Sequence, residues 1–231
     1  MSAAEAPVIA IDGPSGAGKS TVARMLAARL GLPYLDTGAM YRAVGLKVAR
    51  RGMPLPLTEP EEVARWARES AIDLSTSPEG TTVWLDGEDV SREIREPRIS
   101  LYASAVSAIA DVRKLLVARQ REIARDRGGV LEGRDIGTKV FPDTPFKFFL
   151  TAGEEERARR RFEELRRRGL DEPYAKVLEE MRRRDRDDSG RPDSPLAWDE
   201  TYILIESDGI EPEEIVARIL REVQTIEPSG A

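Results

Sequence analysis

Residues Gly13-Pro14-Ser15-Gly16-Ala17-Gly18-Lys19-Ser20 match the pattern G-x-x-x-x-G-K-[ST] at every position. The surroundings match too. The short apolar run Val8-Ile9-Ala10-Ile11 precedes the motif and reads as a buried strand. From Thr21 to Leu30 apolar residues recur at helical spacing and stop at Gly31, a favourable C-cap. A strand, a glycine-rich turn and a helix in this order form a phosphate cradle. The glycines let backbone N–H groups turn inward, and the helix N-terminus adds its positive dipole end. Lys19 reaches the β- and γ-phosphates, and the Ser20 hydroxyl can ligate Mg²⁺. Gly13 to Thr21 are therefore expected to bind a nucleoside triphosphate with its Mg²⁺.

The rest of the chain alternates in the same way. Leu32–Leu35, Gly129–Leu131, Phe146–Leu150 and Tyr202–Ile205 read as further strands, making five with the first. Helical patterns run over 39–50, 61–70, 99–124, 154–168, 174–186 and 212–223. This is an α/β chain, with a five-stranded parallel sheet flanked by helices on both faces. Between 72 and 85 the texture changes to alternating residues, and Asp86-Gly87 is a hairpin signal, so a small antiparallel patch is expected as an insert. The tail from Glu227 to Ala231 is expected to fray. Trp66, Trp84 and Trp198 are expected to be packing residues.

Composition narrows the chemistry. The net charge is -6 and 34% of residues are charged. That is the balance of an acidic protein of the cytoplasm, not of a nucleic-acid binder. No apolar run approaches the roughly 18 residues of a membrane span, and the N-terminus lacks the basic and apolar regions of a signal peptide. Cysteine, histidine and asparagine are all absent. Disulfides and thiolate chemistry are excluded, as is the commonest general base. Without asparagine, the usual Asn-Lys-x-Asp reader of guanine is excluded as well. ATPases of the helicase type usually show an apolar strand ending in adjacent acids, and no such strand is clear. A small-molecule kinase remains, with inserts that close over an acceptor. Of the 36 basic residues only six are lysines. Arginine suits bidentate contact with phosphate, although most of these residues are expected on solvated helix faces.

Two further stretches stand at predicted strand ends, where ligands of an open α/β sheet bind. They are Leu35-Asp36-Thr37-Gly38-Ala39-Met40-Tyr41-Arg42 and Gly133-Arg134-Asp135. On physical grounds alone each could equally be a capped or ion-paired surface turn. Together with the phosphate loop and Arg184-Asp185-Arg186-Asp187-Asp188-Ser189-Gly190-Arg191-Pro192-Asp193-Ser194-Pro195-Leu196, in this order and spacing, the chain resembles the bacterial cytidylate kinase family over nearly its whole length. One departure follows Leu196, where the family's Ala-x-Asp-Ala type of segment is replaced by Ala197-Trp198-Asp199-Glu200-Thr201.

That resemblance implies a P-loop core with an antiparallel β/α monophosphate-binding insert and a helical lid. The division would be core at 1–38, insert at 39–105, core at 106–153, lid at 154–188 and core at 189–231. It implies transfer of the ATP γ-phosphoryl group to CMP or dCMP. Lys19, Arg42, Arg134 and Arg191 would be catalytic, with Arg42, Arg134 and Arg191 clamping the CMP phosphate. Thr37 would also contact CMP. Arg184 and Asp188 would contact the ribose. Ser104, Arg113 and Asp135 would read cytosine, Arg113 either at the base or by holding Asp135. Arg157 and Arg160 would reach the ATP phosphates. A carboxylate at Asp135 suits the cytosine amino donor. If Arg134 and Asp135 alternate at a strand end, one would face the phosphate and the other the base. A UMP-preferring or broad pyrimidine kinase, and a binding module without turnover, stay open as alternatives. A monomer is expected, with neither nucleic acid nor membrane as partner.

Overall fold

The computed structural model describes residues 6–77, 80–191 and 194–226. The expected frayed tail from Glu227 and the Pro192-Asp193 step of the third motif lie outside them. In chain order the elements are β1 (Val8–Asp12), α1 (Lys19–Leu30), β2 (Tyr34–Asp36), α2 (Thr37–Arg50), α3 (Pro60–Glu69), β3 (Ile72–Ser77), β4 (Gly80–Leu85), β5 (Glu88–Asp89), α4 (Pro97–Ser107), α5 (Ala110–Ala124), β6 (Gly129–Gly133), β7 (Phe146–Thr151), α6 (Glu154–Arg167), α7 (Tyr174–Ser189), β8 (Ile203–Glu206) and α8 (Pro212–Ile226). Five strands form the expected parallel sheet in the order β2-β6-β1-β7-β8, and three form an antiparallel sheet in the order β3-β4-β5. The chain packs as two compact units, one of Pro7–Leu32 with the chain from Val130 onward, the other of Pro33–Gly129.

In the first unit β1, β6 and β7 are apolar and buried along almost their whole length, as strands covered on both faces must be. Ile9 to Asp12 pair in parallel with Phe146 to Phe149, and Phe148 to Thr151 with Ile203 to Glu206. Gly13 leaves β1 at φ 147°, and a Cβ there would stand 2.0 Å from the Leu150 carbonyl oxygen, so only glycine fits this exit from the strand. Helices α6 and α7 carry arginines outward. They bury a narrow stripe of Ala158, Leu165, Val177 and Met181, finished by an edge-to-face contact of Phe162 with Tyr174 at 5.7 Å. Trp198 packs a tilted ring on Phe149 at 6.2 Å but stays half exposed, so it is only partly the packing residue expected.

In the second unit the Asp86-Gly87 turn has φ of 53° and 84°, the two left-handed positions that a two-residue hairpin of this hand requires. Helix α2 packs on α4 through Gly45. A Cβ there would lie 2.9 Å from the Ala103 nitrogen and 3.0 Å from the Tyr102 Cβ. Alanine in an open helix gains about 1 kcal/mol over glycine. Here the clash is with backbone, and overpacking of this kind costs about 1–3 kcal/mol. The net loss is up to about 2 kcal/mol, so Gly45→Ala is expected to lower Tm by up to about 8 °C. A raised Tm in a thermal melt would show that the helices separate without cost.

The single helix expected over 99–124 is two helices. Ser107 donates its hydroxyl back to the Ser104 carbonyl at 2.7 Å, and the amides of Ala108 and Ile109 bond three residues back instead of four. Serine back-bonding and a tightened last turn end α4. Ile109 is extended at ψ 115°, and α5 restarts with Asp111 in its first turn, where the dipole favours an acid. The apolar pattern runs through the break, so periodicity does not reveal it.

Candidate active site

The phosphate loop is braced by its own lysine and from outside. Its Pro14, Ser15 and Ala17 carbonyls accept from Lys19 Nζ at 2.7 Å, Arg157 at 3.1 Å and the Ser207 hydroxyl at 3.1 Å. With those carbonyls engaged, what the loop offers an anion is its N–H groups. Helix α1 begins at Lys19, two residues before the expected start, so Lys19 and Ser20 stand on the helix's first turn. Lys19 is almost wholly buried. Burial, and then repulsion from Arg134, push its pKa down to about 7. Arg184 adds to that repulsion, while Glu132 and Asp12 oppose it.

Two buried acids on this floor were not singled out in the sequence. Glu132 ends the apolar run of β6 and accepts from the Ser20 hydroxyl at 2.9 Å. A single acid near the end of a buried apolar strand was the available signal. Asp12 is fully buried at the end of β1. It accepts from the amides of Ile136 and Gly137, each at 2.9 Å, and from the Tyr202 hydroxyl at 2.8 Å. Burial pushes its pKa up to about 6 against the pull of these three donors.

The pair in Gly133-Arg134-Asp135 is not a strand end with alternating side chains. Strand β6 stops at Gly133, and Asp135 opens a single π-helical turn, Ile136–Val140. The Asp135 carbonyl accepts from the amides of Lys139 and Val140. What separates Arg134 from Asp135 is this turn. Arg134 Nε donates to Asp188 at 3.0 Å, while Asp135 is buried.

Asp188 is the hub of a cationic cluster. Arg134 and Arg191 take one carboxylate oxygen each, and Arg184 Nε lies 3.9 Å away. Burial alone would raise the Asp188 pKa, but the three guanidinium groups hold it below its ordinary value. The Asp188 carbonyl accepts from the Leu196 amide at 2.9 Å, tying the end of α7 to the Ser194-Pro195-Leu196 segment. Three guanidiniums gathered on one carboxylate form an arrangement that suits a phosphate.

Arg157 and Arg160 are engaged with protein. Arg157 also bonds the Ala152 carbonyl and Asp185, and Arg160 bonds Glu156 and both oxygens of Ser207. Gly16, at φ 79°, makes room for this contact, since a Cβ would lie 2.9 Å from the Arg157 carbonyl oxygen.

The remaining candidates lie in the other unit. Asp36 caps α2 by accepting from the Ala39 amide at 2.9 Å and also takes Arg42 at 2.7 Å. The capped turn is real. Arg42 is nevertheless largely buried, its side chain only 21% exposed, and its buried Nε has no partner among the described residues. Gly38 clears its path, its Cβ position being 3.3 Å from Arg42 Nη1. Thr37 is buried beside it. Arg113 is buried, lies over the Tyr41 ring at 5.7 Å and donates to the Ser107 carbonyl. Ser104 is on α4, half buried. Thr37, Ser104 and Arg113 would have been indistinguishable from packing residues without the resemblance.

Residues 9–225 match the family model for cytidylate kinase. The chain belongs to the cytidylate kinase family. It is 53% identical over 216 residues to the cytidylate kinase of Caldanaerobacter subterraneus subsp. tengcongensis, covering 94% of each chain. It is 47% identical over 217 residues to that of Nocardia farcinica, covering 94% of this chain and 93% of the other. Among solved structures, an uncharacterized protein from Eubacterium ventriosum superposes with a TM-score of 0.50 at 14% identity, over 94% of this chain and 98% of the other, a likeness of fold alone. The chain is thus a kinase acting on nucleotides, and among the described residues no helix is long and apolar enough to cross a membrane.

Proposed function

We propose that this member of the cytidylate kinase family transfers the γ-phosphoryl group of ATP to CMP or dCMP. The observation that carries the reading is the crowding of cations in one unit. Lys19 in the phosphate loop loses proton affinity first through burial and then through Arg134, with Arg184 adding to the repulsion, and these two arginines share Asp188 with Arg191. Such a site is costly when empty and favourable when two phosphate groups enter it.

An acceptor phosphate has its second pKa near 6, so its attacking oxygen is already largely ionised and needs no base. The absence of histidine is then no obstacle. What the chain supplies is position and charge. The loop and Lys19 hold the donor, and Arg42, Arg134 and Arg191 hold the acceptor phosphate. Arg184 and Asp188 hold the ribose, and Ser104, Arg113 and Asp135 read cytosine. Arg157 and Arg160 serve the donor side by bracing the loop. Segment 39–105 is the acceptor-binding insert and 154–188 the lid. Ser20 and Glu132 fit the protein's share of a Mg²⁺ site, a hydroxyl and a carboxylate in contact, with the phosphates as further ligands. When bound, the metal would neutralise phosphate charge. The protein works as a monomer in the cytoplasm.

The test is ADP release with Mg·ATP and a panel of CMP, dCMP, UMP, AMP and GMP. Turnover of CMP and dCMP with UMP at least about fivefold behind is expected, since one mismatched hydrogen-bonding edge costs about 1–3 kcal/mol. Comparable UMP turnover would remove the base-reading role of Asp135. No turnover with any acceptor would mean a binding module.

A further inference from the structure

The three donors on Asp12 come from far along the chain, two from the turn that begins at Asp135 and one from the residue that precedes β8. A fully buried carboxylate is a costly way to hold a loop unless its charge is used. Its three hydrogen bonds are of the charge-assisted kind, about twice as strong as neutral ones. Each part of the arrangement is selective. Gly137 has no room for a side chain: a Cβ would lie 2.6 Å from the Tyr202 hydroxyl and 3.0 Å from Lys147 Cδ. Tyr202 is held by an edge contact with Phe149 at 6.3 Å and by the Thr138 side chain. Ile136 and Val140 bury the apolar side of the turn.

The two ends of this arrangement matter for function. Asp12 is followed directly by Gly13, the first residue of the phosphate loop. Ile136 is preceded directly by Asp135. The turn has no long hydrogen-bonded element of its own to hold its shape, and single π-helical turns of this kind recur at functional sites. The Asp12 and buried Asp135 carboxylates also stand close enough to repel each other.

We infer that Asp12 and Tyr202 form a latch that positions Asp135 for the acceptor base, making them positioning residues for substrate choice. The inference rests on the reading of Asp135 as the cytosine contact. With the latch closed, Asp135 has one placement relative to the strand that carries the phosphate loop. With it loosened, the turn samples several placements, and the acceptor is held less well while the donor is not.

Tyr202→Phe removes one donor and keeps the ring and its contact with Phe149. The experiment measures KM and kcat for CMP, UMP and ATP in this variant, with Asp135→Ala in parallel and the Tm of both. Tyr202→Phe is expected to raise KM for CMP about threefold to tenfold, the scale of one hydrogen bond, and to lower the CMP-to-UMP preference by a similar factor. KM for ATP should stay within about twofold, because the loop's own contacts are untouched. Gly137→Ala, which displaces the Tyr202 hydroxyl, should shift the same constants in the same direction. If the Tm of Tyr202→Phe falls while the CMP and UMP constants stay put, the latch is packing only and the inference is wrong. If Asp135→Ala leaves the CMP-to-UMP ratio unchanged, the reading of Asp135 fails and takes the latch's role in substrate choice with it. The two failures are distinguished by which variant shows them.

Discussion

Lys19→Met is expected to lower kcat by at least about a hundredfold while leaving Tm unchanged or raising it. The loss of activity follows from position. Lys19 is the only lysine of the phosphate loop, and removal of one preorganised charge at a developing anion costs about 10²–10³ in rate. The stability effect has the opposite sign, because the empty site holds a buried ammonium at a cost. Its pKa is pushed down to about 7 by burial and by Arg134, from an ordinary 10.5. The unfolded chain therefore binds more protons than the folded one between those values, and stability rises with pH across that window. Below about pH 7 the full cost is present, so the variant gains most there, and above about pH 10.5 it gains nothing. Methionine fills a similar volume but leaves the Pro14 carbonyl without its 2.7 Å donor, which offsets part of the gain. Thermal melts at pH 6.5 and pH 9 with a steady-state assay check both halves. A fall in Tm of more than about 5 °C would mean that lost folding, not lost charge, explains lost activity.

Asp188→Ala acts in the reverse way, with a large loss of stability that an anion should repair. The carboxylate is almost wholly buried and has Arg134, Arg184 and Arg191 as partners. Removing one partner from a buried ionic group costs about 3–5 kcal/mol. The low end applies because Arg134 and Arg184 keep some contact with solvent. A loss of about 3 kcal/mol corresponds to about 6–12 °C in Tm for a chain of this length. Inorganic phosphate or CMP supplies the missing negative charge, so either should raise Tm more in the variant than in the parent. The pH dependence has a definite sign. The folded pKa lies below the ordinary 3.8, so the stabilisation is present above about pH 4 and is lost as pH falls below it. The parent should therefore lose stability in acid that the variant never had. A variant that melts like the parent, with no added response to phosphate, would mean that the three arginines do not depend on Asp188.

Several parts of this molecule could be read locally. The phosphate loop is eight consecutive residues whose glycines, lysine and serine each serve a neighbouring backbone or one ligand, so spacing alone reveals them. The Asp86-Gly87 hairpin, the Gly31 stop and the alternation of strands with helices are local in the same sense. The Asp36 cap is local too, and the same carboxylate also takes Arg42. Other parts were hidden for a physical reason. Glu132 meets Ser20 across 112 residues of chain, and Asp12 meets its three donors across 124, 125 and 190. An acid at the end of an apolar run looks the same whether it faces water or a hydroxyl. Arg157 and Arg160 sit in a helix crowded with arginines, and only packing against the loop and Ser207 sets them apart from their neighbours.

The sequence by itself determined the α/β class, the five-stranded parallel sheet, the position of the phosphate loop and the family. The class, the sheet and the loop depend on backbone dihedrals, capping and periodicity within short stretches, whereas the family was legible only as a resemblance of several motifs in their order along the chain. Only the tertiary structure decided which charges are buried together. It set Lys19 against Arg134, three arginines around Asp188, and Asp12 beneath the turn that starts at Asp135. Those partners are chosen by strand order and register, and their strength comes from burial in a medium of low polarity, which no stretch of chain carries by itself.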